Sequence, residues 1–182
     1  MSLEFNRRSF LKYSAAAAVA VAGSSLLVGC GEDEYQKTGK IGSTLKLMGT
    51  FRMYDNPAPT FTPDTGNTGT FECKLSIKCT TKKVPLYVTN ECFELTVTRG
   101  TTEKNYAKQY ITITDPEFDL EESEEAKDFK LTITSVDIKA GDKVELKYWP
   151  RIQASSGNSG YTRAFCTWKM DAVADGSNIK LQ

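Results

Sequence analysis

Apolar and polar residues alternate one for one along several stretches of this chain, the period that turns one face of an extended segment inward. The strictest run sets Phe71, Cys73, Leu75, Ile77 and Cys79 against Glu72, Lys74, Ser76, Lys78 and Thr80, and predicts a half-buried strand. Phe93, Leu95 and Val97 against Glu94, Thr96 and Thr98 predict another, ended by Arg99-Gly100. Leu45 and Leu47 through Phe51 and Met53 read as a single strand, and Tyr110 to Thr114, Phe129 to Thr134, and Val144, Leu146 and Tyr148 as three more. Ile138-Lys139-Ala140-Gly141-Asp142-Lys143 reads as a turn joining neighbouring strands, and Ala164, Cys166, Trp168 and Met170 mark a last strand. About seven strands punctuated by Gly, Pro and Asn predict an all-β fold, an antiparallel sandwich.

The N-terminus has a different pattern. A basic segment, Asn6-Arg7-Arg8-Ser9-Phe10-Leu11-Lys12, precedes an Ala- and Val-rich run from about Ser14 to Val28. Arg7-Arg8 with Phe10, Leu11 and Lys12 resembles the twin-arginine export motif, departing from it at Asn6. The apolar run is shorter than the roughly 20 residues that span a bilayer, which suits a removable signal. It ends in Leu27-Val28-Gly29-Cys30, which resembles a bacterial lipobox with Cys30 as the lipidated residue. The expected organisation is a signal peptide over 1–29, a lipidated Cys and flexible stalk over 30–42, and one β-domain over 43–182. Polar, Gly-punctuated sequence from Gly31 to Gly42 supports the stalk. The expected location is the outer face of the bacterial cell membrane, in the envelope.

Removing residues 1–29 takes Arg7, Arg8, Lys12 and Glu4, leaving 20 basic against 22 acidic residues and a net charge of −2. No basic field remains for nucleic acid. The run Lys74-Leu75-Ser76-Ile77-Lys78-Cys79 to Pro85-Leu86-Tyr87-Val88, then Phe93-Glu94-Leu95, the Gly100 turn, Tyr106 and Ile138-Lys139-Ala140-Gly141-Asp142 resembles the immunoglobulin-like domains of exported Gram-positive lipoproteins. Those domains share a fold with the mycobacterial immunoprotective extracellular proteins. The resemblance covers roughly residues 70–150 and implies an immunoglobulin-like sandwich and an extracellular location, with no mechanism.

Cys73, Cys79, Cys92 and Cys166 allow three pairings. Shared inward faces favour Cys73 with Cys166 between the sheets and Cys79 with Cys92 over Pro85; buried thiols are the other reading. Spacings of five, twelve and seventy-three intervening residues lack the close pairs of a zinc site, so no metal is expected. The chain has no histidine, which removes Ser-His-Asp and Cys-His activation and the usual general base near neutral pH. The acidic run from Asp115 to Glu125 reads as a solvated loop, since catalytic carboxylates need distinct, desolvated settings. Calcium is its other candidate ligand, but no spacing there matches a calcium loop.

Two connections are candidate ligand loops: the Pro- and Gly-rich stretch 55–69, with Phe61, Asp64 and Asn67, and the stretch after Tyr148, with Trp149, Arg151 and Tyr161. The expectation is a lipid-anchored binding module without catalytic residues or cofactor. It is held to the membrane by its lipid and meets a protein or glycan. The rival reading is an enzyme or a cofactor- or metal-carrying envelope protein exported folded.

Overall fold

The computed structural model describes residues 35–82, 85–153, 159–161 and 164–182. The export residues Arg7, Arg8, Phe10, Leu11, Lys12, Leu27 and Gly29, and Cys30, lie outside them. The chain divides into Met1–Gly31 and Glu32–Gln182, and the second unit is the β-domain.

Strict alternation produces its longest strands. In β5 (Gly69–Cys79) every odd-numbered residue is buried and every even-numbered one partly exposed, as a period of two requires. The same rule shapes β7 (Phe93–Arg99) and β12 (Lys143–Tyr148). One layer runs in the order β1 (Gln36–Lys40), β15 (Phe165–Asp175), β12, β7, β8 (Thr102–Tyr106). In the facing layer, β11 (Lys127–Val136) follows one edge of β5, while β3 (Gly49–Met53) and β4 (Thr60–Pro63) divide its other edge. Outer positions go to β2 (Thr44–Lys46), which pairs with β3, and β9 (Ile111–Ile113), which pairs with β11. The end of β15 joins the layers by pairing with β16 (Asn178–Leu181), which pairs with β4. A smaller sheet contains β10 (Glu117–Leu120), β6 (Leu86–Thr89), β13 (Arg151–Gln153) and β14 (Ser159–Tyr161). Aromatic contacts close the core between layers: Phe51 lies 4.9 Å from Tyr148, and Phe93 lies 6.0 Å from Phe129.

The all-β expectation holds, but the described residues form sixteen strands rather than seven. The extra ones are short. Leu45 to Met53 is a hairpin, β2 and β3, because Gly49 packs on the Lys78 carbonyl where any side chain would collide. The stretch read as a stalk contains β1, paired parallel to β15 from Gln36↔Phe165 to Lys40↔Lys169. The acidic run contains β10, which turns Phe118 and Leu120 into the core. Ile138 to Lys143 crosses from one layer to the other instead of joining neighbours. Gly141, at φ +93°, makes the bend and donates to the Ala172 carbonyl at 2.7 Å.

The expected disulfides are absent: Cys73, Cys79, Cys92 and Cys166 are all buried thiols. Parity predicted the faces correctly but not the heights along the strands. Cys166 is opposite Tyr148, whose ring meets Phe51, the partner of Ile77. That level is four residues from Cys73, about 13 Å of strand. Tyr148 sits among Cys79, Cys92 and Cys166, and burial raises its pKa well above the usual tyrosine value. Cys92 instead donates to the Tyr87 carbonyl at 3.6 Å, and Cys79 to the Thr81 carbonyl at 3.7 Å.

Candidate functional site

Because β3 and β4 divide one edge of β5, a gap opens beside Cys73 and Lys74, bridged by one backbone bond from Tyr54 N–H to the Lys74 carbonyl at 3.0 Å. The chain from Asp55 to Pro59 passes over this gap. A groove of about 510 Å³ results on the outer face of β5 and β11, with Pro57 and Ala58 on one wall and its base at Cys73 and Phe129, whose side chains turn inward to the core. Its rim is charged and internally paired. Lys74 meets Asp128 at 2.8 Å, Tyr54 donates its hydroxyl to the same carboxylate at 2.9 Å, and Lys130 meets Glu72 at 2.5 Å. Lys74 also stands 4.6 Å above the Tyr54 ring.

These contacts limit the chemistry of the groove. Burial pushes the Asp128 carboxyl up, but hydrogen bonds from Lys74, Ser76 and Tyr54 outweigh it and hold the pKa below the ordinary value. Asp128 in turn raises Lys74. Burial, then the Glu72 charge, drives the Cys73 thiol far up, so near neutral pH it is not a thiolate nucleophile. The groove is thus suited to receiving an apolar group flanked by polar ones.

The sequence-predicted loops divide. Pro57 and Ala58 of the 55–69 connection line the groove, but Phe61 is buried in β4 opposite Phe71, and Asp64 and Asn67 stand exposed at the β4–β5 turn. Trp149 follows β12 and packs its ring 6.2 Å from Phe165, while Lys147 lies 5.4 Å above Trp149 and 5.1 Å above Phe165. Arg151 opens β13, pairs with Glu91 at 3.1 Å and covers the Tyr87 ring. Tyr161 is its partner in β14. The two loops do not form one site; Trp149 belongs to the layer opposite the groove.

Sequence reasoning missed another charged group. Arg99 bonds Asp142 at 2.9 and 2.7 Å and Asp137 at 3.3 and 3.1 Å, and Asp137 N–H donates to the Tyr106 hydroxyl at 2.9 Å. Arg99 lowers Asp137; at Asp142 burial acts upward, but Arg99 and the Lys139 N–H prevail and the pKa falls. This cluster pins the crossover between layers. The Gly141-Asp142 pair was its only local signal, since Arg99 is 43 residues away.

Comparison with known proteins places the N-terminal segment in its class: residues 4–24 match the TAT (twin-arginine translocation) pathway signal sequence. The chain is exported across the membrane. No curated protein matches. The crystal structure of a lipoprotein candidate, ycdA of Bacillus subtilis, is similar at 18% identity and a TM-score of 0.43, covering 73% of this chain and 39% of that one. This chain therefore spans about two fifths of that structure's length.

Proposed function

We propose that the mature protein is a lipid-anchored binding module of the bacterial envelope, immunoglobulin-like in kind, that holds a protein partner and performs no catalysis. The anchor reading is supported by Leu27-Val28-Gly29-Cys30, which begins three residues after the end of the matched export signal at residue 24. Two acyl chains on Cys30 would give stable membrane attachment where one gives only marginal binding. The binding reading is carried by the groove over Cys73 and Phe129. Its Pro57 and Ala58 wall and self-paired rim favour an apolar side chain of a protein over a glycan, which needs exposed aromatic faces and unsatisfied polar groups. Against catalysis stand the missing histidine and the commitment of Asp128, Asp137 and Asp142 to cationic partners.

A photo-crosslinking residue at Thr60, on the groove wall, tests this in native envelopes. The expected result is a discrete adduct that disappears when Ala58→Trp fills the groove. Adducts no different from those at Thr102, on the remote β8, would end the binding reading. Intact mass of the purified protein tests the anchor separately, with a diacylglyceryl increment on Cys30 expected.

A further inference from the structure

The pairing of β1 leaves very little tether. Between Cys30 and Tyr35 stand four residues, and Tyr35 is already fixed to the domain, its carbonyl accepting from Phe165 N–H at 2.9 Å. Five Cα steps reach at most about 18 Å, so a lipid on Cys30 holds this end of the domain at the bilayer surface. What the domain presents there is aromatic. Tyr35 is 57% exposed, the only large hydrophobic side chain so exposed among the described residues. At the same end of this layer, but on its outer face, which Gln36 rather than Tyr35 shares with Phe165, the half-buried rings of Phe165 and Trp149 stand side by side with Lys147 above both.

We propose that Phe165 and Trp149, with Lys147 above them and Tyr35 at the same end of the layer, form a membrane-docking patch that seats the lipidated domain in the headgroup layer of the bilayer. Tyrosine and tryptophan favour that layer because their rings are apolar and their O–H and N–H groups reach water, and a lysine stem can lie along them with its amine in the headgroups. Charge does not drive the docking. Lys147 faces Glu94 across the β12–β7 pair, and its neighbours pair as Lys169 with Glu145 and Lys143 with Asp171. The docked face is therefore nearly neutral, and contact should persist on zwitterionic lipid and at high salt. The inference rests on the anchor reading, because the short tether is what brings the patch to the bilayer. The groove, in the opposite layer, is left for a partner.

The chain has two tryptophans, and Trp168 is buried at 1% exposure, so fluorescence can isolate Trp149. The processed lipoprotein is reconstituted into phosphatidylcholine vesicles carrying brominated acyl chains, after intact mass has established the lipid on Cys30. Wild type should lose roughly half its emission, one tryptophan of two lying in the interface, and should lose as much in 1 M salt. Trp149→Phe, which keeps the ring contact with Phe165, should lose little. Equal quenching of the two proteins, no quenching of wild type, or quenching abolished by salt would overturn the docking patch while leaving the anchor intact. An unmodified Cys30 mass would instead remove the anchor, and the docking inference with it.

Discussion

The groove and the aromatic patch use similar residue types in opposite ways. Beneath the groove the aromatic group, Phe129, turns inward to the core and the charges on the outer face are paired across strands. In the patch the aromatic rings stand outward from the sheet and a lysine lies over them. The first is a recess that a partner must enter; the second is a projection that can enter another surface. The difference arises from strand ends. The groove exists because two short strands divide the edge of β5, whereas the patch lies where β1 and β15 start and β12 finishes.

The Phe129 side chain beneath the groove belongs to the core and cannot be changed without cost. Phe129 packs 6.0 Å from Phe93 and 5.5 Å from Phe118, so Phe129→Ala should destabilise the domain by about 3–5 kcal/mol, read by chemical denaturation. A loss below about 1 kcal/mol would mean that the Phe129 ring does not hold the layers together. Gly39→Val attacks the other region at its attachment. A Cβ at Gly39 would lie 2.7 Å from Ser43 Cβ and 2.8 Å from Leu45 Cδ2, so β1 should leave β15 at a cost of about 1–3 kcal/mol. The freed tether should also abolish the lipid quenching of Trp149; retained quenching would separate the patch from β1. Trp149→Ala removes a half-buried ring from the surface and should cost less than about 1 kcal/mol, while removing the vesicle contact.

Acid gives the smallest and most selective effect. Because the folded pKa of Asp128 is lowered, its contribution is complete above the ordinary carboxylate value and is lost as pH falls from about 4 through the folded value. With Lys74 and Asp128 each 41% exposed, solvent screens the pair and the loss of stability should be small. Crosslinking at Thr60 should weaken below pH 4 while Trp149 quenching stays. Loss of both together would indicate general unfolding.

Periodicity revealed the strands beneath the groove, β5 at Cys73 and β11 at Phe129, but not the groove itself. The groove depends on Pro57 and Ala58 crossing a gap whose position is set by the registers of β3 and β4 against β5. Trp149 was identified as a candidate from its type and neighbours. Its partners Lys147 and Phe165 were not, because pairing between β12 and β15 brings them together across intervening sequence. Asp64 and Asn67, singled out by composition, stand exposed at the β4–β5 turn, away from the groove.

The sequence alone determined the export signal, the inward faces of β5, β7, β12 and β15, and the absence of histidine chemistry. Each is a local property of residue type or of alternation with a period of two. Only the tertiary structure decided that the four mature cysteines stay apart, that β1 joins the sheet, and that Arg99 meets Asp137 and Asp142. Alternation determines which way a side chain faces, but not its height along the strand or which distant strand lies beside it. Those depend on register and crossover, which many residues set together.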